Sequence, residues 1–280
     1  MSRFLPPDFD ASKPVTLIAG KGRYPELTLE RLRAAKLETR LIAFEGETAD
    51  ELVAQFPKEH VVRIKVGQLG HLLDGLKTQR AGAAIMAGQI TPRRLFKGLT
   101  PDLKAIAILA TLKEKNAESI FGALAREIEK IGVRMLDARA FLDDQLADTG
   151  CMTGWRCGID DDTLALGIRI AKESARLDIG QGVVVAGGTV VAVEAFEGTD
   201  KMLRRCADLG ADDMVFVKTV KPRQDYRFDV PCLGVKTLES LVAGGVKKCA
   251  VEAGAVLLLD KPAVIAKAKE LGVALYGYKA

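Results

Sequence analysis

Short apolar runs separated by amphipathic stretches dominate the first part of the chain. The run VTLIA, from Val15 to Ala19, ends in GKGRYP and is followed by the periodic stretch ELTLERLRAAK. That order predicts strand, glycine turn and helix, with Pro25 suited to the first helical turn. The runs TRLIAF, VVRIKV and AGAAIMAG predict three more buried strands, with HLLDGLK as a helix between the last two. Strands that are apolar throughout and alternate with helices predict a parallel sheet covered on both faces, a Rossmann-like N-terminal half. From Pro101 to Leu136 the pattern turns helical. In NAESIFGALAREIEKIG the apolar residues Ile120, Phe121, Leu124, Ile128 and Ile131 share one face, and Gly132 ends the helix.

The stretch DTGCMTGWRCGIDDDT is rich in Gly, Asp and Thr and reads as a linker. The predicted organisation is an N-terminal domain over 1–146, a linker over 147–162 and a smaller mixed-sheet α/β domain over 163–280, where the chemistry is expected. About 150 residues per domain makes two domains the natural division of 280 residues. The second half opens with the helix LALGIRIAKESARL. In VVVAGGTVVAVEAF the pair Gly187-Gly188 supplies the positive φ that a tight turn needs, so a hairpin is expected. A helix at KMLRRCADLG, strands at DMVFVKTV and AVLLLD, a helix at PAVIAKAKELG and a strand at VALYGY complete an α/β pattern. No internal repeat or low-complexity tract interrupts it.

Composition narrows the chemistry. With 48% apolar and 28% charged residues the chain can bury real cores, and a net charge of +4 lacks the concentrated basic stripe of a nucleic-acid binder. That charge suits an anionic small molecule or an acidic membrane surface. The five cysteines are scattered with no C-x-x-C pair, so neither a zinc ribbon nor a disulfide framework is supported and reduced thiols are expected. The start, MSRFLPPDFDASKP, has no apolar core of a signal peptide, and the longest uncharged apolar stretch is too short to span a bilayer, so a soluble, cytoplasmic protein is expected. Only His60 and His71 are present, which excludes a histidine-rich metal centre. A catalytic metal would take oxygen ligands, as Mg²⁺ does. No G-x-S-x-G elbow or Walker A run occurs. AREIEKIG approaches the core of the Nudix pyrophosphatases, but Lys130 and Ile131 stand where that core needs glutamates.

Two regions carry candidate chemistry. In GKGRYP the glycines Gly20 and Gly22 let backbone N–H groups approach a phosphate at a helix start, but the spacing lacks the third glycine of a dinucleotide fingerprint. A ligand-binding turn and a tight structural turn both fit. The second region is three loops near strand ends: LDIGQG with Gln181 and Gly182, EAFEGTD with Thr199 and Asp200, and KPRQDYRFDVPCLGVKT with Lys221, Asp225, Arg227 and Asp229. Pro231 disfavours helix before it, which puts both aspartates on a loop leading into a strand. Crevices at strand ends are where α/β folds bind ligands, so a shared site is expected. Thr199 or Asp200 would cap the helix that follows, and that helix start, with Arg204 and Arg205 one turn on, also suits phosphate. Composition leaves both readings open.

The motifs ARLDIGQGVVV, AVEAFEGTDKMLRR and KPRQDYRFDVPCLGVKT resemble those of the UDP-2,3-diacylglucosamine pyrophosphatases of lipid A biosynthesis, the type without calcineurin-like metallophosphoesterase motifs. LIAGKGRYPEL and AVEAGAVLLLDKPAVIAKAKELG are similar to that family's two ends. The resemblance implies two α/β domains joined by a linker with the lipid-sugar ligand between them. It implies Mg²⁺-dependent hydrolysis of the substrate's pyrophosphate to UMP and 2,3-diacylglucosamine 1-phosphate (lipid X). The family's essential aspartate lies in R-x-D-x-P-x-x-G, which is Asp229 here, as metal ligand or as general base. Gln181, Thr199, Asp200 and Asp225 follow as site residues by the same matching. KNAESIF and MAGQI depart from the family, so no role transfers to Asn116 or Gln89. Transient docking at the inner membrane is implied, and a homodimer is left open. Two other readings remain: a nucleotide-cofactor oxidoreductase using the N-terminal glycine turn, and a non-catalytic binder of a lipid or nucleotide sugar.

Overall fold

The computed structural model describes residues 2–90, 101–113, 117–154 and 156–280, apart from the side chain of residue 117; Asn116 lies outside them. The chain divides into two units, one of Met1–Asp143 with Asp225–Asp229, the other of Asp144–Gln224 with Val230–Ala280.

In the first unit β1 (Val15–Ala19), β2 (Thr39–Phe44), β3 (Val61–Ile64), β4 (Ala83–Ala87) and β5 (Arg134–Met135) form an all-parallel sheet in the order β3-β2-β1-β4-β5. Val15 pairs with Thr39 on one side and Ala83 on the other. The central strands β1 and β4 are buried at every position because both faces are covered. Ile18, Ile42 and Met86 pack with α3 (Leu69–Thr78) and α5 (Ala117–Lys130), while the alternate residues Leu17, Leu41 and Ile85 are fully buried on the opposite face. Helices α1 (Arg23–Ala34), α2 (Asp50–Val53) and α4 (Leu103–Thr111) also belong to this unit. The strand order reverses between β1 and β4, and the glycine turn follows β1 there.

In the second unit six strands run in the order β6-β13-β11-β9-β7-β8, with β6 (Gly150–Cys151), β7 (Gly182–Ala186), β8 (Thr189–Val193), β9 (Val215–Lys218), β11 (Lys248–Glu252) and β13 (Ala274–Tyr278). The strands β9, β11 and β13 are parallel, and the others pair antiparallel. A separate pair joins β10 (Cys232–Leu233) to β12 (Leu257–Leu258). The β7–β8 hairpin turns on Gly187 and Gly188 at φ 53° and 77°, the double positive φ of a type I′ turn. One sheet face packs Val184 and Phe216 against α7 (Thr199–Arg205), α8 (Val235–Ala243) and α9 (Lys261–Glu270). The other packs Val183, Val185 and Val217 against α6 (Asp161–Arg176).

Three expectations are corrected. The strand read at AVLLLD is only Leu257–Leu258 and lies outside the main sheet. Cys151 and Cys157 form a disulfide, with Cα atoms 5.6 Å apart, where reduced thiols were expected; Cys206, Cys232 and Cys249 are free. Neither Thr199 nor Asp200 caps α7: its N-cap is Gly198 at φ 80°, with no side-chain cap. Among the described residues no helix is long and apolar enough to cross a membrane.

Candidate functional site

The segment Asp225–Asp229 is a tight turn in which the Asp229 and Phe228 N–H groups donate to the Asp225 carbonyl, at 3.0 and 3.3 Å. It is fastened to the first unit at several points. Ala138 N–H donates to Tyr226 O (2.7 Å), and the Arg139 guanidinium lies 3.3 Å from the centre of the Tyr226 ring. Phe228 stacks on Phe121 with ring centres 5.8 Å apart. The Ala138 carbonyl accepts from the Tyr24 hydroxyl at 2.6 Å. One residue, Ala138, therefore links the start of α1, just past the glycine turn, to the aspartate turn.

Within the turn, Arg227 grips Asp225 through two bonds, Nε to Oδ1 at 2.9 Å and Nη2 to Oδ2 at 2.7 Å, and reaches Glu129 at 3.0 Å. The Arg227 guanidinium holds the Asp225 carboxyl below its ordinary value, and Asp225 in turn raises that of Arg227. Both side chains brace the turn. Asp229 ends it, half-buried, two residues before Pro231 and the strand β10, so the expected loop into a strand is what the chain forms. Because the folded Asp225 value is depressed, its stabilisation is complete above the ordinary 3.8 and disappears as pH falls through the lower folded value. Acid titration of unfolding should therefore show a decline below that range which flattens in Asp225→Asn. An unchanged acid limb would mean the pair contributes nothing.

At the glycine turn, Gly20 N–H donates to Ala87 O (2.8 Å) and Lys21 N–H to Gln89 O (3.0 Å). A Cβ on Gly20 would stand 2.7 Å from the Gln89 carbonyl oxygen, so close backbone approach alone requires glycine. Gly22 begins α1 at φ 95°.

The second unit gathers the other candidates. Gln181 donates to Gln224 Oε1 at 2.6 Å, and the same oxygen accepts the Lys221 N–H at 2.9 Å, while the Lys221 ammonium pairs with Asp178. Asp200 pairs with Lys236 at 3.2 Å. Thr199 donates its hydroxyl to Glu194 Oε1 (2.7 Å) and accepts from Lys218 Nζ (3.3 Å), which explains why it does not cap α7. Gly182 lies under this cluster, since a Cβ there would stand 2.7 Å from Glu194 Oε2. On the other face of the sheet the buried Glu252 Oε2 accepts from Lys172 Nζ (2.7 Å), Thr219 Oγ1 (2.7 Å) and Val220 N–H (3.1 Å). It thereby fixes the chain just before Lys221. Burial pushes the neighbouring Tyr278 phenol above its ordinary value, and its hydroxyl donates to Lys218 O at 3.2 Å.

Sequence reasoning missed Lys218, Glu252 and Gln224. The first two close apolar strands and carry no motif; only their position at the carboxyl ends of β9 and β11 marks them. Among the described residues no group of three or more His, Cys, Asp or Glu side chains could hold a metal ion.

Residues 14–145 match the family model described as the LpxI N-terminal domain, and residues 148–276 match the LpxI C-terminal domain. The chain is 31% identical over 278 residues to the UDP-2,3-diacylglucosamine pyrophosphatase LpxI of Caulobacter vibrioides, an alignment that covers 93% of this chain and 96% of that protein.

Proposed function

Because this chain belongs to the LpxI family through both of its domains, we propose that it hydrolyses the pyrophosphate of UDP-2,3-diacylglucosamine, giving UMP and 2,3-diacylglucosamine 1-phosphate, a step of lipid A biosynthesis. The observation that carries the reading is 31% identity over 93% of the chain with a protein named for that activity. Asp229 is the residue on which the chemistry depends, as the acceptor of a proton from the attacking water or as a carboxylate ligand of Mg²⁺. The fold supports this because the main chain bearing Asp229 is held rigidly by the Arg227 grip, the Phe228 stack and the Ala138 hydrogen bond, and a positioned carboxylate needs such a mount. Arg227 and Asp225 hold that mount in place.

Anhydride hydrolysis is limited mainly by positioning and by neutralising charge on the phosphoryl oxygens. The donor set fits an ion that arrives on substrate phosphates and takes few protein carboxylates, the habit of Mg²⁺ with nucleotides. When bound, Mg²⁺ would supply charge neutralisation there, with Asp229 as its protein carboxylate. The test is UMP release from UDP-2,3-diacylglucosamine in Mg²⁺, in EDTA, and after Mg²⁺ is restored. Release only when Mg²⁺ is present is the expected result, and undiminished release in EDTA removes the metal from the reading. The oxidoreductase alternative is disfavoured because two backbone donors of the glycine turn are already taken by Ala87 and Gln89.

The substrate is a membrane lipid, and we place the protein at the cytoplasmic face of the inner membrane. Helix α4 supports this: Leu103 and Ile106 are 87% and 51% exposed. The sequence over 91–115 carries Arg93, Arg94, Lys97, Lys104, Lys113 and Lys115 against Asp102 and Glu114. Exposed apolar side chains on a stretch whose sequence carries surplus cations suit an anionic lipid surface. The protein should co-sediment with vesicles containing anionic lipid, and L103E/I106E should lose that binding while keeping its fold. Binding unaffected by the substitutions would discard the helix as the docking element.

A further inference from the structure

The end of β9 holds a buried cation that makes no direct ion pair among the described residues. Lys218 is 6% exposed. Alternation along the strand places its side chain on the Phe216 face, towards α7 and α8. Its Nζ meets the Thr199 hydroxyl at 3.3 Å, and among the described residues no carboxylate comes within ion-pair distance. Burial pushes the nearby Cys249 thiol up to about 12, and the Lys218 charge acts against that rise.

A buried ammonium whose direct hydrogen-bond partner is one hydroxyl, with the Glu194 carboxylate beyond it, has donors left to offer a ligand. Lysine could have been replaced by an apolar residue at a position where the rest of the strand is valine and phenylalanine. The second incomplete group is close at hand. Glu194 Oε1 accepts from Thr199, but Glu194 Oε2 is buried without a hydrogen-bond partner. One hydroxyl thus stands between the Lys218 ammonium and a carboxylate whose other oxygen is unsatisfied, at the carboxyl ends of β9 and β8. A ligand bearing both a phosphoryl group and a hydroxyl would complete both groups, which neither a chloride ion nor a hydrocarbon chain does.

We propose that Lys218, positioned by Thr199 and Glu194, binds a phosphoryl oxygen of a nucleoside or sugar phosphate in the second unit. The inference rests on the pyrophosphatase reading for the identity of its ligands. Two sources share the chemistry, the uridine-side phosphate and the sugar-side phosphate. Calorimetry separates them by comparing UMP with uridine and 2,3-diacylglucosamine 1-phosphate with its dephosphorylated form, on wild type and Lys218→Met. The variant is expected to lose about tenfold to a hundredfold in affinity for one phosphorylated ligand, the worth of a hydrogen bond to a charged group. Its affinity for the dephosphorylated partner should hold, and the ligand affected names the source. Unchanged affinity for the dephosphorylated ligand is the readout that a merely structural lysine would not give.

A Lys218→Met protein with both phosphate preferences intact overturns the proposal, as does a wild-type protein that prefers neither phosphorylated ligand. Should Lys218→Met fail to fold, Thr199→Val takes its place: loss of the preference supports the site, and an intact preference rejects it. Lys218-dependent phosphate binding in a protein that releases no UMP from UDP-2,3-diacylglucosamine would leave this inference standing and remove the pyrophosphatase reading instead.

Discussion

Asp229→Asn is expected to lower turnover of UDP-2,3-diacylglucosamine by about 10²–10⁴-fold, the range spanned by loss of a positioned acid–base group. Asparagine keeps the size of the side chain and one acceptor oxygen but can neither take a proton nor hold a cation as a carboxylate does. The turn itself is built by other groups: the Arg227 pair with Asp225, the Phe121–Phe228 stack and the Ala138 hydrogen bond. The variant should therefore fold normally and bind substrate, so the loss should fall on kcat more than on KM. Steady-state kinetics beside a thermal melt checks this. A variant that melts like wild type and turns over at a comparable rate removes Asp229 from the chemistry.

Glu252→Ala should give the largest loss of stability. The Glu252 residue is 8% exposed and one of its oxygens accepts three donors. Truncation leaves the Lys172 ammonium, the Thr219 hydroxyl and the Val220 N–H without that acceptor, at a cost of about 3 kcal/mol. Glu252→Gln retains an acceptor oxygen and should lose less. Denaturant titration followed by a probe in the second unit measures both. If alanine is tolerated as well as glutamine, the cluster does not hold the end of the sheet.

What the residues reveal in order, and what they do not, divides along physical lines. The strands β1, β2 and β4 are legible because a sheet covered on both faces draws runs of mostly apolar residues. The β7–β8 hairpin is legible because only glycine readily takes two successive positive φ values. Strand β11 is not, since KCAVE offers three small or apolar residues between a lysine and the glutamate that the fold uses as a buried acceptor. The aspartate turn is legible as a motif but not in its placement. Sequence adjacency puts Asp225–Asp229 with the second half, yet its partners Glu129, Phe121 and Ala138 belong to the first. Contacts across about a hundred residues leave no periodic trace. Lys218 was hidden because one lysine ending an apolar strand reads as the strand's edge.

The most direct test of the function is the identity of the products. Mass spectrometry of wild-type protein incubated with UDP-2,3-diacylglucosamine and Mg²⁺ should show UMP and 2,3-diacylglucosamine 1-phosphate accumulating in equal amounts. UDP with free 2,3-diacylglucosamine, or intact substrate in the presence of folded, lipid-bound protein, would contradict the account.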